Sequence, residues 1–238
     1  MNYTSKFTLI RNSLFNTSSW AINAIIIFIA TPFYVYKLTI EGYGIYALLT
    51  SLVGFYNLLD FGLGQGIIKF VAEYKTKNQL DELGKIIIST LIIQFCIGLV
   101  GTFLLIIFSK KIIFILNISP HYSNDALIGL YFCSIGFLFS MISSTFNYIL
   151  EGAQKHDVAA KINVLGNFLL SITLVLVLYF NYGLKEAIIV HVIFNTVITF
   201  FLYGNVVQIF PGIKKHFIFN SHVLFKLVNF SSFIYLAK

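Results

Sequence analysis

Long apolar stretches recur along this chain, separated by short clusters of Lys, Asp, Glu and Asn. No charge occurs between Arg11 and Lys37, and the pattern predicts a first membrane span over 12–36. Further spans follow over 42–68, 86–108, 126–150, 162–182 and 187–210. Each has the roughly 20 apolar residues needed to cross a hydrocarbon core about 30 Å thick. Helix is the required conformation, because a lone strand in lipid would leave its peptide groups without partners. The first span is too long for a signal-peptide core and no small-residue cleavage pattern follows it, so it is expected to stay uncleaved. Between the second and third spans, Lys69 to Lys85 predicts a polar helix resting at the interface on Phe70, Val71 and Tyr74. After PGIKKHFIFNSH a seventh apolar segment begins near Val223, and the sequence stops inside it at Lys238. The expected organisation is therefore a six-span unit over 1–212, then a loop and the start of a truncated second unit over 213–238.

Polar residues inside the spans line up. Asn12, Asn16, Ser19 and Asn23 mark the first span, and Ser140, Ser143, Ser144, Asn147 and Glu151 the fourth. Asn163, Asn167 and Ser171 mark the fifth, and His191, Asn195 and Thr199 the sixth. Steps of three and four residues place each set on one helix face. Two readings compete. Ser and Asn act as glue between helices, at about 0.6 to 2 kcal/mol each, or the stripes wall a water-filled cavity. Any single residue is explained by glue; four striped spans together favour a cavity, with Asn23, Asn57, Asn147, Asn167 and Asn195 as its candidate ligand groups. His191 joins them, although a histidine near a helix end is more often a satisfied structural one.

One acid breaks the second span. Asp60 lies nine residues before Lys69, about 13 Å from that end of the helix and close to mid-bilayer. A charge at that depth costs about 2.5 to 3.5 kcal/mol on insertion scales and is a functional candidate by default. Three roles are open: a proton or cation site, a partner for a buried base, or a neutral acid in a packing hydrogen bond. The neighbouring GLGQG, with Gly62, Gly64 and Gly66, has neither the spacing nor the preceding strand of a dinucleotide loop. Gly62 and Gly66 instead form a small-xxx-small face for close helix approach. Thr31-Pro32 predicts a kink late in the first span.

Composition agrees with the span map and narrows the chemistry. The chain is 58% hydrophobic and 11% charged, with a mean hydropathy of +0.87, against roughly 45–50% and about 25% for a soluble domain. The net charge of +7 lacks the basic stripe with exposed aromatics that nucleic acid requires, so no nucleic-acid partner is expected. Its distribution speaks to orientation. Lys6, Arg11, Lys69, Lys75, Lys77, Lys85, Lys155, Lys161, Lys214, Lys215 and Lys226 share the N-terminal side, against Lys37, Lys110, Lys111 and Lys185 on the other. Eleven against four predicts a cytoplasmic N-terminus. Cys96 and Cys133 sit in apolar runs as small hydrophobes. No nucleophile–base set, metal cluster or carboxylate pair has motif spacing, and Glu151, His156 and Asp157 read as a solvated loop. No metal or cofactor is expected, and nothing in the residues marks an enzyme.

Three stretches together resemble a family: TPFYVYKLTIEGYGIYALL from Thr31, LLDFGLGQGIIKFVAEYKTKNQLDELGKIIIST from Leu58, and ILEGAQKHD from Ile149. They are similar to the N-terminal half of bacterial polysaccharide repeat-unit flippases, of the multidrug/oligosaccharidyl-lipid/polysaccharide exporter superfamily. The resemblance implies an all-α, polytopic transmembrane bundle: the six-helix first lobe of a two-lobe transporter around a cavity that opens alternately to each side. It implies an undecaprenyl-pyrophosphate-linked oligosaccharide as substrate, moved to the outer leaflet of the bacterial inner membrane during O-antigen, capsule or related glycan assembly. A proton or sodium ion would drive it, as in related drug exporters, and glycan polymerase or assembly proteins would be its partners beside the bilayer. Two departures stand out. Thr39 occupies a position where the family usually has glycine, which reads as a minor change. No basic residue lies deep in the six spans to meet a pyrophosphate, leaving Lys69 and Lys161 at span ends. The alternatives are a cation-coupled multidrug exporter, which Asp60 suits, a membrane-embedded transferase, and an assembly scaffold without transport.

Overall fold

The computed structural model describes residues 3–54 and 62–211, with 213, 225, 227 and 229–231, and side chains from 17 onward. It is all-helical among these residues. The elements are α1 (Tyr3–Gly54), α2 (Leu63–Thr76), α3 (Leu80–Ile107), α4 (Ser109–Ile115), α5 (Pro120–Gly152), α6 (His156–Tyr179) and α7 (Leu184–Ile209). Among the described residues five helices are long and apolar enough to cross a membrane, which makes this a multi-pass membrane protein.

The first of these, α1, is two arms. Its backbone leaves helical geometry at Thr39, with φ 69° and ψ 167°. In a straight helix, residues twelve apart lie about 18 Å from each other. Yet the Thr31 hydroxyl is 3.3 Å from the Tyr43 phenol, and the Tyr34 and Tyr46 rings are 6.4 Å apart. The chain therefore folds back at Thr39, setting the arm 3–38 beside the arm 40–54. Pro32 keeps helical geometry, so among the described residues the expected kink falls seven positions later. The reason is local capping. Thr39 Oγ1 accepts the Gly42 amide at 3.3 Å, starting the second arm as an N-cap does. Tyr122, in the first turn of α5, donates its phenol to the Leu38 carbonyl at 3.0 Å and reaches Thr39 Oγ1 at 3.0 Å.

The predicted span over 42–68 is not one regular helix. Gly62 takes a left-handed φ of 77° as the N-cap of α2, a conformation that costs glycine little. From there α2 runs through Lys69 to Thr76, and α3 starts at Leu80, not Ile86. Phe70, Val71 and Tyr74, expected at the interface, are buried in the core with Ile149, Leu150 and Ala153. Their stretch continues a helix that is packed on protein, so those side chains never reach the headgroups. Four helix ends share one stop. Asn78, Asn117, Gln154 and Asn181 take φ of 50–61° just after α2, α4, α5 and α6. Each gives its amide, with the next residue's, to the last turn. This is the Schellman closure, with Asn at three of the four glycine-like positions.

Helix α5 is the hub, touching every other described helix. Lipid gives no hydrophobic push between helices, so small residues must let backbones meet. Gly129 sits under Ile188, Gly136 under Val192, and Gly98 and Gly101 of α3 against Leu138 and Phe137. The tightest approach to main chain is at Gly152, where an added Cβ would lie 2.8 Å from the Ile68 carbonyl oxygen and 3.1 Å from its Cα. Gly66 and Gly64 also mark close contacts, with Ser231 and the Tyr148 ring.

Two predictions follow from these backbone constraints. Because Ile68 presents main chain, Gly152→Ala should destabilise the fold by about 1–3 kcal/mol. Gly44→Ala, with no atom within 4 Å of its Cβ, should be neutral or better. Thermal unfolding of the two variants in detergent, ending with equal midpoints, would refute the α2–α5 contact. At Thr39, glycine relieves a conformation costing about 1–3 kcal/mol in other residues and loses only tenths as a cap. Alanine keeps the strain and loses both hydrogen bonds. Thr39→Gly should raise the unfolding midpoint and Thr39→Ala lower it; shifts of the same sign would show that the turn is not strained.

Candidate functional site

The second arm of α1 turns Tyr43, Tyr46 and Thr50 inward at steps of three and four residues. The fold-back brings Tyr34 against them, and the three rings cluster at 6.3–6.4 Å, Tyr43 and Tyr46 stacked. From α7, the His191 ring lies edge-on to Tyr46, and its Nδ1 is 2.9 Å from the Tyr46 phenol oxygen. From α6, the Ser171 carbonyl accepts the Tyr34 phenol at 3.2 Å. Together with Asn167, Ser51 and Ser171 these groups wall a cavity of ≈ 330 Å³ between both arms of α1, α6 and α7. That is room for about ten waters at roughly 30 Å³ each, at the small end of ligand pockets. It runs from Tyr34 and Tyr43, within five residues of the Thr39 turn, to Ile27 and Ser51, twelve residues from it.

The polar stripes divide between the two readings. Asn167, Ser171 and His191 line the cavity. Asn147 does not: its amide nitrogen bonds the Ser143 carbonyl at 3.2 Å and its oxygen accepts Asn163 Nδ2 at 3.1 Å, tying α5 to α6. Asn195 donates back to the His191 carbonyl at 3.0 Å. Thr199 reaches the Asn195 carbonyl at 2.9 Å and the Phe139 carbonyl of α5 at 3.4 Å. Asn23 Oδ1 is buried without a hydrogen-bond partner among the described residues. Asn57 and Asp60 lie outside the described residues.

Neither interfacial lysine lines the cavity. Lys69 Nζ rests 3.7 Å from the centroid of the Phe230 ring and 4.9 Å from that of Phe70, a cation–π seat. Lys161 is exposed on α6. At the same end Lys75 donates to the Ala153 carbonyl at 2.5 Å. Burial first, and neighbouring Lys155 second, hold its ammonium below the usual lysine value. The tyrosines escaped the reading of the sequence, although Tyr43, Tyr46 and Thr50 carry the same three-and-four spacing as the other stripes. A phenol in hydrocarbon needs a partner as an amide does, and that rule would have found them.

The arrangement presents hydroxyls, an amide, an imidazole and stacked aromatic faces to the hollow. Over 151 residues the chain is 28% identical to a Shigella flexneri protein named "Putative O-antigen transporter", covering 63% of this chain and 36% of that one. Over 202 residues it is 26% identical to an uncharacterized membrane protein of Methanocaldococcus jannaschii, covering 79% of this chain and 39% of the other. The chain thus spans well under half the length of these relatives. No solved structure matches it. The model of one family, described as polysaccharide biosynthesis protein, matches residues 9–237. That match takes in nearly the whole chain and every helix of the cavity, and the chain belongs to the polysaccharide biosynthesis protein family.

Proposed function

We propose that this chain is the first lobe of a flippase that carries a lipid-linked oligosaccharide across the bacterial inner membrane during polysaccharide assembly. The substrate is an undecaprenyl-pyrophosphate-linked glycan, and movement is by alternating access between two lobes without chemical change to the cargo. The observation that carries this reading is a hydroxyl- and amide-lined hollow inside an apolar bundle, in a chain of a polysaccharide biosynthesis family. Glue alone leaves no hollow. Sugar rings present apolar faces to the Tyr43–Tyr46 stack and hydroxyls to Thr50, Ser51, Asn167 and His191. A volume of ≈ 330 Å³ limits what enters this lobe to one or two sugar units, so the cavity acts as a recognition subsite. Asp60 is the proposed ion site, taking a coupling proton or sodium ion.

In a flippase-null strain complemented by the full-length protein, Tyr43→Ala and Asn167→Ala should each lower surface glycan about tenfold, equivalent to about 1.4 kcal/mol of lost recognition. Thr199→Val, which removes hydrogen bonds to the Phe139 and Asn195 carbonyls and no group of the cavity, should leave export per molecule unchanged. Wild-type glycan from Tyr43→Ala at normal protein level would take the cavity out of the transport path. The lysine asymmetry makes a separate prediction. Reporter fusions after Lys77 and after Lys111 should report cytoplasm and periplasm respectively; exchanged compartments would invert the orientation, and one shared compartment would overturn the span map.

A further inference from the structure

The hydroxyls around the polar cavity are not interchangeable, because each carries a single hydrogen and most of those hydrogens are already committed. Thr50 donates to the Tyr46 carbonyl at 2.7 Å, and Ser51 to the Leu48 carbonyl at 2.7 Å. Tyr34 donates to the Ser171 carbonyl. Thr31 gives its hydrogen to the Ile27 carbonyl at 2.7 Å, so in its contact with Tyr43 the Thr31 oxygen accepts and the phenol donates. What Tyr34, Tyr43, Thr50 and Ser51 have left for the hollow is lone pairs. The remaining hydrogens belong to the Asn167 amide, to the Ser171 hydroxyl, and to the Tyr46–His191 pair, which keeps one of its two in either tautomer. The cavity is therefore polarised, with acceptors along both arms of α1 and donors chiefly on α6. Among the described residues no Lys, Arg, Asp or Glu lines it. Lys37, three residues past Tyr34, ends on Asn181 Oδ1 at 3.0 Å.

We propose that this polarity makes the cavity selective for a neutral hexose over the matching uronic acid. The inference rests on the flippase reading for the presence of a sugar; the placement of hydrogens supplies the selection. A ring hydroxyl laid along α1 donates to an oxygen there and accepts from Asn167 or Ser171 across the hollow. A carboxylate has no hydrogen to give. Against α1 it sets lone pairs against lone pairs and leaves the wall's oxygens unbonded after they lose water. Turned towards Asn167 and Ser171 it finds donors but no cation, and stays an uncompensated charge inside the bundle. A site that hydrogen-bonds a substrate hydroxyl rejects an analogue lacking it far more strongly than an apolar pocket rejects a missing methylene. A hexose and its uronic acid differ only in the hydroxymethyl or carboxylate at C6, so hydrogen and charge decide between them and bulk does not.

The test is binding to the full-length protein in phosphatidylethanolamine–phosphatidylglycerol nanodiscs. The probes are undecaprenyl-pyrophosphate-linked glucose and galactose, the matching glucuronic and galacturonic acids, and the sugar-free undecaprenyl pyrophosphate. At least one hexose should bind tighter than the sugar-free carrier and about tenfold tighter than its own acid. Tyr43→Phe and Thr50→Val each keep the side chain's shape and delete one acceptor oxygen, and should shrink that preference by weakening the hexose and not the acid. Ser51→Lys, at an exposed position on the cavity's border, supplies the missing cation and should shift the preference towards the acid; it decides the matter even where the other two fail to fold. Acid and hexose bound equally by the wild-type protein, or a preference unmoved by every variant that folds, overturns the proposal. The flippase reading fails separately. Equal binding of hexose and acid, both tighter than the sugar-free carrier, discards the selection and keeps the sugar site, whereas glycosylated probes that bind no tighter than the carrier discard the sugar site as well.

Discussion

Hydrocarbon offers a polar group nothing to bond, and this bundle is organised by how each buried hydroxyl, amide and ring nitrogen meets that constraint. Many of the short side chains solve it within their own helix. Thr31, Thr50, Thr90, Ser134, Thr173 and Thr196 all donate to the carbonyl four residues back, and Asn147, Asn195 and Asn205 do the same with their amides. A tyrosine cannot, because its phenol oxygen stands too far from its own helix axis. Tyr34 must therefore bond α6, Tyr46 must find His191 on α7, and Tyr122 must reach back to the turn at Leu38. Rings that need partners on other helices hold those helices apart, and the hollow opens where three of them gather.

The same constraint explains the turn at Thr39. A straight helix over the 38 residues Thr17–Gly54 would extend about 57 Å, nearly twice the hydrocarbon thickness, so the chain has to reverse. It does so at a residue whose dihedrals belong to glycine, held by the Gly42 amide and the Tyr122 phenol. The position that reads as a minor departure in the sequence is the one residue inside α1 where backbone geometry is most demanding. Reversal at this point is also what sets Tyr34 beside Tyr43 and Tyr46, so a capping interaction at the membrane edge creates the site beneath it.

Close packing and open space are distributed by residue size. Around α5 and the end of α2, glycines bring main chains into contact, and the buried core is continuous from Phe70 to Leu150. Along α1 and α6 the facing side chains are Tyr, Phe, Ile and Asn, too large to interdigitate fully. The bundle is tightly packed on the α5 side and hollow on the α6 side. In the flippase proposed above that asymmetry has a use, because a carrier needs a packed frame and a surface that can admit a headgroup.

Much of this was legible before any coordinates. Apolar runs of bilayer length forced helices and a multi-pass bundle, since backbone in lipid has no other satisfied form. The motifs around Tyr43-Gly44, Asp60-Phe61-Gly62 and Gly152 carried the family. Stripe spacing showed which helix faces look inward. It could not separate glue from cavity, because Asn147 and Asn167 have the same chemistry at the same kind of position. The difference is whether another helix arrives within hydrogen-bonding distance, and Asn163 arrives at one of them only. Nor did it show that Phe70, Val71 and Tyr74 would be covered by α5. Periodicity along one helix reports a face; the neighbour that covers or spares that face is set by where the other helices cross it, and that is decided by contacts far apart in the chain.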